Sequence, residues 1–467
     1  MAETEGVGAQ GVPRAGSDPR TRRRDPATLR WIASSPRAAV VVVPVLAVAA
    51  LLPLFRQTGA RSWDTIWAED GWIYFQQAHD HGLSVVFRGY AGYLQLPDRL
   101  LAAPSALVPV GEVALYFALV STIVGALLAW FVYWASAGWV DSQAARIALA
   151  SLVVLMPALG QENTATVTNT IWILAAVTPW AFVSRSDGGR AVVLRSTIAF
   201  LAATATLISL VFLPLALGMA AIRRNRASAF VGIAYLAGVA VQFGVTSTTS
   251  DHRRLRATRD LSKLPEIVGV RGFDQFLLSD RGINAIWDQR ILLVVFIPAL
   301  VAGGLLVAMF FVSRHRRILS LVFLGVGLAS LLVPLLGRGT GSAAIAFPSV
   351  SFLGPVVSAG RYQPNPARYS VIPVFMLASA AAVLLTSLRT SRAWLPRAST
   401  AAFVALLVVP IVVGFRVTNA RSGGPAWSAT VAAQRGRCAH RSPNSRARLR
   451  LPAPAFNPAV VVRCRDL

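Results

Sequence analysis

The chain alternates between long apolar runs and short polar connections that are rich in arginine. About 20 consecutive apolar residues are enough to cross a bilayer as a helix. The pattern therefore predicts an all-α polytopic membrane bundle of about 11 transmembrane helices, with external loop helices and a small β-containing tail. The predicted spans are residues 38–55, 112–136, 143–158, 168–184, 192–206, 208–222, 227–246, 290–312, 317–336, 369–388 and 398–416.

One apolar stretch, residues 192–222, admits two interpretations. It contains Ser209 and Pro214 near its middle. It is either one long kinked helix or two short helices joined by a tight turn. With two helices, the connections that carry arginine fall on the same side of the membrane.

The arginines predict an orientation. With the N-terminus inside, the short connections that carry arginine fall on the cytoplasmic side, as the positive-inside rule expects. The longer segments 56–111, 247–289 and 337–368 then fall outside, together with the C-terminal tail, although the basic run 253–259 lies in one of them. We therefore expect a multi-pass protein of the cytoplasmic membrane with an external C-terminus. The first span is predicted to be retained and not cleaved as a signal.

The same pattern predicts three regions. Residues 1–37 are rich in Gly, Pro, Ala and Arg and predict a disordered, basic cytoplasmic tail. Residues 38–416 are predicted to form the transmembrane domain, and residues 417–467 are predicted to form a small extracytoplasmic module.

Composition supports the membrane class. Of 467 residues, 55% are hydrophobic and only 14% are charged, against about 25% charged in soluble domains. The basic residues that produce the net charge of +25 lie mainly in the predicted loops and tails. That distribution indicates contact with anionic lipids and excludes nucleic acid as the expected partner.

The two cysteines, Cys438 and Cys464, both lie in the C-terminal tail. A pair confined to one extramembrane segment predicts a disulfide and an oxidising exterior. The alternative is two unpaired thiols. Between them, residues 448–451 and 459–463 resemble short strands separated by prolines.

Candidate chemistry begins just after the first apolar run. Glu69 and Asp70 are adjacent and flanked by tryptophans, in a chain with only 20 acidic residues against 45 basic ones. A carboxylate near apolar rings has a raised proton affinity, which suits a general base. The aromatic residues nearby are expected to seat the loop at the membrane interface, namely Trp67, Trp72, Tyr74 and Phe75. The alternative is that the acidic pair caps a short helix over residues 71–81.

Two further groups suit the binding of a sugar. Tyr90 and Tyr93 are placed to line a sugar or lipid cleft. The polar run 161–169 supplies Glu162, Asn163 and Asn169, together with threonine hydroxyls such as that of Thr168. The alternative for this run is helix capping and a solvated turn.

Arg361 and Arg368 precede the tenth predicted span at the outer face. Guanidinium groups there are placed to hold a lipid-linked phosphate, and the alternative is interfacial snorkelling. The sequence has no P-loop, no Rossmann glycine motif, no HExxH and no Cys/His zinc spacing. We therefore expect no cofactor. A divalent metal is compatible with the residues but is not indicated by them.

The order of these features resembles the GT-C superfamily of membrane glycosyltransferases, whose first external loop carries one or two acidic residues. Glu69-Asp70-Gly71 stands in that place, followed by Ala91-Gly92-Tyr93-Leu94 and Pro97-x-Arg99-Leu100, and Arg368-Tyr369 opens a late helix as in that family. The resemblance implies a polyprenyl-phosphate-linked sugar donor, hexose or arabinose. It implies a glycan, lipid or protein acceptor outside the membrane.

By that resemblance, Asp70 is the base and Glu69 assists or orients it. Arg361 and Arg368 stabilise the departing phosphate. The expected substrate-binding residues are Tyr90, Tyr93, Arg99, Glu162, Asn163 and Asn169.

Two other classes of function remain open. A transporter or assembly partner for polyprenyl-linked glycans would use the same aromatic and arginine residues without catalysis. A basic scaffold on anionic lipid explains the charge but not the Glu-Asp segment. Charged residues inside spans would favour transport, and the predicted spans hold almost none.

Overall fold

The computed structural model describes most of the chain. The chain divides into two units, Met1–Pro44 and Val45–Leu467, and the helices and strands named below belong to the second. The described residues are 44, 48, 51–159, 165–248, 268–279, 282–283, 291–338, 368–388, 392, 394–418, 421–451 and 459–467.

The described part is mostly helical, with one small sheet. Short turns of tighter or wider helix connect the longer elements. The helices are α1 Gln76–His81, α2 Leu96–Ala102, α3 Val113–Ala135, α4 Gln143–Leu155, α5 Thr170–Val183, α6 Gly189–Ala203, α7 Leu213–Arg223, α8 Arg226–Thr248, α9 Ile291–Phe310, α10 Arg314–Arg338, α11 Arg368–Leu385, α12 Leu395–Val413 and α13 Trp427–Cys438, with a further helical turn at Gln275–Leu277. The strands are β1 Arg446–Arg450 and β2 Ala459–Arg463.

Several of these helices have the dimensions of membrane spans. Within the described residues, five are long and apolar enough to cross a bilayer, and four shorter ones are also apolar. The chain therefore contains several helices of the kind that cross membranes, but the predicted count of eleven spans is not confirmed. The first predicted span lies largely outside the described residues, and the other ten coincide with helical segments.

The apolar stretch 192–222 forms two helices and not one. Helix α6 ends at Ala203, and α7 begins at Leu213 after a short tight turn, Leu207–Phe212. The hydroxyl of Thr206 accepts a hydrogen bond from the Ile208 N–H at 3.4 Å and so caps that turn. At the break, the Thr204 carbonyl accepts a hydrogen bond from the backbone N–H of Leu96, at 3.2 Å.

Helices α5 and α11 form the centre of the bundle. All residues of α5 are buried. Nearly all residues of the apolar part of α11 are buried too, whereas most of those of α12 are not. A helix that is apolar all round is expected in such a position. Trp180 of α5 donates from its indole N–H to the Ser379 hydroxyl of α11, 3.1 Å away, which joins the two helices.

The C-terminal segment packs on the segment that follows the first apolar run. Strands β1 and β2 are antiparallel, with Arg446 opposite Arg463. The Cys438 and Cys464 sulfurs form a disulfide, which is the pairing that the sequence predicted. The Trp427 indole N–H donates to the Val110 carbonyl at 2.7 Å. One hydrophobic cluster therefore includes residues from both segments.

Candidate functional site

The acidic pair stands at the start of a helical segment. A wide π-helical turn, Asp70–Phe75, leads into α1, so the predicted helix over residues 71–81 is present with an irregular first turn. Such turns are frequent at functional sites. Glu69 is half-buried, whereas only 2% of Asp70 is exposed. The N-terminal position of this turn carries no side-chain cap, so the Glu-Asp pair is not a helix cap here.

Asp70 instead binds the segment that precedes α5, nearly a hundred residues away in sequence. Its Oδ1 accepts hydrogen bonds from the Thr168 N–H at 2.7 Å and from the Thr168 hydroxyl at 2.5 Å. Its Oδ2 accepts from the Val167 N–H at 3.2 Å. Three donors therefore fix the carboxylate on the segment that opens the central helix.

A buried arginine from the C-terminal segment supplies positive charge near Asp70. Arg421 donates from Nη2 to the Ser62 and Thr65 carbonyls, at 3.0 and 3.1 Å. Burial raises the pKa of Asp70 to about 6, while the Thr168 hydrogen bonds and the charge of Arg421 oppose the rise. Burial lowers the pKa of Arg421 to about 10, and Asp70 opposes that change.

A second buried carboxylate, Asp98 of α2, lies close to the first. It is fully buried. The Tyr74 hydroxyl lies within hydrogen-bond distance of Gln95 Oε1 and of Asp98 Oδ2, the latter at 3.3 Å. A single phenol proton serves only one of these oxygens. A protonated Asp98 satisfies the other contact by donating to the phenol oxygen.

Electrostatics agree with a protonated Asp98. Burial, and next the charge of Asp70, raise the pKa of Asp98 well above its ordinary value. The Tyr74 hydroxyl and the charge of Arg99 oppose this rise. Two carboxylates that repel one another in an apolar environment do not both ionise readily. The environment therefore favours a neutral Asp98 beside an ionised Asp70.

Arg99 lies on the other side of Tyr74. Its guanidinium carbon is 5.1 Å from the centre of the Tyr74 ring, and its Nη1 donates to Gln77 Oε1. Burial lowers the pKa of Arg99, and Tyr74 and Asp98 oppose that change. Its Nε and Nη2 are buried and make no hydrogen bond within the described part of the chain. Arg99 therefore has donors left to bind a hydroxyl or an anion.

The predicted Tyr90–Tyr93 segment is a tight two-residue turn. Ala91 and Gly92 have φ of 53° and 89°, and the two tyrosines exchange backbone hydrogen bonds of 2.8 and 3.2 Å. Tyr90 packs edge-on against Trp72, with ring centres 6.4 Å apart. Both tyrosines are half-buried beside Tyr74 and Arg99.

The backbone of Gln95 is strained at the point where this turn joins α2. Its φ is 53°, a left-handed backbone that glutamine seldom adopts. Strain of this kind persists where surrounding contacts fix the residue, and here the Tyr74 hydroxyl does so.

The structure brings some of the predicted residues together and not others. Asp70, Tyr90, Tyr93, Arg99 and the buried Asn169 belong to this cluster or adjoin it. Glu162, Asn163 and Arg361 lie outside the described residues.

Arg368 lies at the same end of the bundle as Asp70, although no contact joins the two directly among those described. Its guanidinium carbon is 5.6 Å from the Tyr369 ring centre. Tyr369 meets Trp172 edge-on at 5.1 Å, and Trp172 lies in the first turn of α5, four residues after Thr168.

One prediction about this region is wrong in part, and two site residues had no predicted role. Tyr74 and Phe75 do not seat the loop at a membrane interface, because both are buried in the protein, whereas Trp67 and Trp72 are only half-buried. Asp98 stands between Pro97 and Arg99, and only its burial marks it as part of the site. Arg421 is one arginine among many in a basic chain, and nothing in the sequence distinguishes it.

Comparison with known proteins yielded no relative. No protein-family model, curated protein or solved structure matches this chain.

Proposed function

We propose that the chain is a membrane glycosyltransferase that uses a polyprenyl-phosphate-linked sugar as its donor. The observation that carries the proposal is the buried carboxylate pair, Asp70 and Asp98. Two carboxylates with different proton affinities suit a reaction that takes a proton from a hydroxyl group. The GT-C resemblance of the surrounding motifs supplies the substrate class.

In the proposed reaction, Asp70 is the general base. The acceptor oxygen forms a bond to the anomeric carbon while the bond from that carbon to the phosphate oxygen breaks. The leaving polyprenyl phosphate keeps the bonding electrons, and the acceptor proton passes to Asp70. A single displacement inverts the anomeric centre. A pKa of about 6 leaves Asp70 largely ionised at neutral pH and more basic than an ordinary aspartate.

The hydrogen bonds of Asp70 leave one position for the acceptor. Each carboxylate oxygen accepts two hydrogen bonds. Oδ1 already has two donors from Thr168, whereas Oδ2 has, among the described residues, only the Val167 N–H. The second acceptor position on Oδ2 is the one that would receive the proton of the acceptor hydroxyl.

The other residues take supporting roles in this proposal. Glu69 orients the acceptor, and Tyr90, Tyr93 and Arg99 hold sugar hydroxyls. Arg368, and Arg361 outside the described residues, stabilise the leaving phosphate. The polar run with Glu162, Asn163 and Asn169 contributes to the acceptor side. The proposed steps use no metal.

A second function is favoured by the closure of the site. Asp70 is only 2% exposed and accepts hydrogen bonds from three donors. It therefore also joins the segment after the first apolar run to the segment that precedes α5. A non-catalytic transporter or assembly partner for polyprenyl-linked glycans would need such a connection and no base. It would bind the donor and never release polyprenyl phosphate.

The deciding experiment is donor turnover by purified protein in vesicles. Polyprenyl-phosphate hexoses and pentoses are supplied with a panel of glycan, lipid and peptide acceptors, and released polyprenyl phosphate is measured. We expect release by the wild type and by Asp64→Asn, and release lowered by about 10²-fold or more in Asp70→Asn. Asp64 is a suitable control because it binds Ser428 at the start of α13, where the asparagine oxygen can accept from the Ser428 N–H and the amide can donate to the Ser428 hydroxyl. Donor binding without release by any variant would support the transporter and reject the transferase.

A further inference from the structure

A large cavity lies at the other end of the central helix. Its volume is about 800 Å³, within the range of small-molecule sites. Val183, at the end of α5, lines it, whereas Thr168, which binds Asp70, precedes the start of α5. At 1.5 Å per residue, the two places are about 20 Å apart along the helix axis.

The walls of this cavity are apolar, and its mouth is polar. Side chains of α7 and α10 form most of the walls, among them Leu215, Met219 and Val322. The α10 lining runs from His315 to Ala329, a length of about 21 Å. The cavity is therefore a long apolar slot that begins among charged groups, which matches the shape of a lipid chain beneath its headgroup.

The charge at the mouth is positive. Asp187 is already bound by Arg195 at 3.2 Å and by the Asn225 amide at 3.0 Å. Asp141, nearby in this end of the bundle, is held by both terminal nitrogens of Arg316, at 2.7 and 2.8 Å. Both carboxylates are thus bound directly by partners other than Arg185, although the charge of Asp141 still acts on Arg185 from a distance.

Two arginines line the cavity: Arg223 donates to the Val183 and Ser184 carbonyls, whereas Arg185 makes no hydrogen bond or close ion pair among the described residues. Its guanidinium carbon lies 3.8 Å from the centre of the Trp139 ring, and the residue is exposed. Gly138 leaves room for this contact, because a Cβ there would lie 3.1 Å from Arg185 Cδ. A guanidinium stacked on one face keeps its edge N–H groups for a phosphate. His315 adds a second exposed side chain at the mouth.

We propose that this cavity binds one anionic phospholipid, with an acyl chain in the slot and the headgroup phosphate at Arg185 and His315. The site is separate from the Asp70 cluster and stands whether or not the chain is a transferase. The charge balance selects an anionic lipid, because a zwitterionic headgroup would bring a cation to the uncompensated arginine.

Two glycines allow the slot to be filled without a clash. Gly218 of α7 and Gly325 of α10 line the cavity, and a Cβ at either meets no atom within 4 Å. Gly218→Leu and Gly325→Leu therefore occupy the space that the acyl chain needs. Gly304→Leu is the matched control, since it is also unobstructed but lies outside the cavity.

The experiment compares lipids retained after mild extraction. Protein is reconstituted in vesicles of phosphatidylcholine and phosphatidylglycerol at about 3:1, extracted in detergent and weighed by native mass spectrometry. We expect the wild type and Gly304→Leu to retain one phosphatidylglycerol. Gly218→Leu and Gly325→Leu should each reduce its occupancy on the order of tenfold. Arg185→Gln should lose the preference over phosphatidylcholine on the order of tenfold, and Arg190→Gln should keep it.

Other outcomes would overturn the proposal. A wild type that retains no lipid, or that retains both lipids equally, excludes a specific anionic site. Unchanged retention in both leucine variants places any bound lipid elsewhere. If one leucine variant fails to elute as a folded species, the other and the exposed Arg185→Gln variant still decide the matter.

Discussion

The two ends of helix α5 use the same residue types in opposite ways. Before its first residue, Asp70, Asp98 and Arg421 are removed from water and held by buried hydrogen bonds. Beyond its last residue, Arg185 and Asp187 are exposed around an apolar slot. Burial changes the proton affinity of the first group, whereas exposure leaves the second group available for ions and headgroups. The two groups contain the same types of residue. Their different exposure to solvent is what makes the first a candidate catalytic site and the second a candidate lipid site.

The largest expected effect comes from making the same substitution at both ends. Asp70→Asn removes the proposed base and should lower donor turnover by about 10²- to 10⁴-fold. Asp187→Asn keeps a hydrogen-bond acceptor for Arg195 at an exposed position and should change turnover less than about twofold. Turnover in vesicles, with folded yield checked by size-exclusion chromatography, measures both. Equal losses in the two variants would remove the distinction between the ends.

The next effect concerns the C-terminal segment that supplies Arg421. The Cys438–Cys464 disulfide closes a chain separation of 26 residues. Replacing both cysteines by serine should destabilise this segment by about 3 to 4 kcal/mol. Limited proteolysis should then cut within residues 439–463 faster than in the wild type, while the helices of the bundle stay intact. Identical cleavage rates for the two proteins would show that the disulfide adds nothing to the segment.

Predictability from sequence differs between the bundle and the site. Helices such as α3 and α8 follow from runs of apolar residues, which are local information. The partners of Asp70 come from Thr168 and Arg421, which are far away in sequence, so only the folded chain reveals them. The break after Ala203 was one of two interpretations, and it is set by Thr206 and by contact with Leu96.

A third effect is the pH dependence of stability at the buried end. The pKa of Asp70 is about 6 in the folded protein, against about 3.9 in an unfolded chain. Between these values the folded state binds more protons, so the free energy of unfolding falls as pH rises. The full difference is about 3 kcal/mol, present below about pH 4 and lost as pH rises through about 6.

Melting temperatures in detergent at about pH 4.5 and pH 7 would measure this slope. Wild type should lose stability over this range relative to Asp70→Asn, which has no carboxyl group there to titrate. Parallel profiles for the two proteins would mean that Asp70 does not titrate in this window.

The smallest effect is expected at Arg368, which adjoins the site without touching Asp70 in the described contacts. Arg368→Ala removes one proposed phosphate contact and should weaken donor binding about tenfold, with the fold intact. Binding of a polyprenyl-phosphate sugar to the purified variant measures this. Arg397→Ala, at an exposed position near the start of α12, serves as the control of equal charge change. Unchanged donor affinity in Arg368→Ala would remove the residue from the proposed site.

The pH profile of donor turnover decides whether burial makes Asp70 a base of raised proton affinity. We expect kcat/KM to fall on the acid side with a midpoint near pH 6, because protonated Asp70 takes no proton from the acceptor. Asp98→Asn should leave that midpoint in place, because burial and the charge of Asp70 raise the pKa of Asp98 and so favour its neutral form. An acid limb near about pH 4, or turnover that is flat from about pH 5 to 8, would contradict the role of Asp70 as the base.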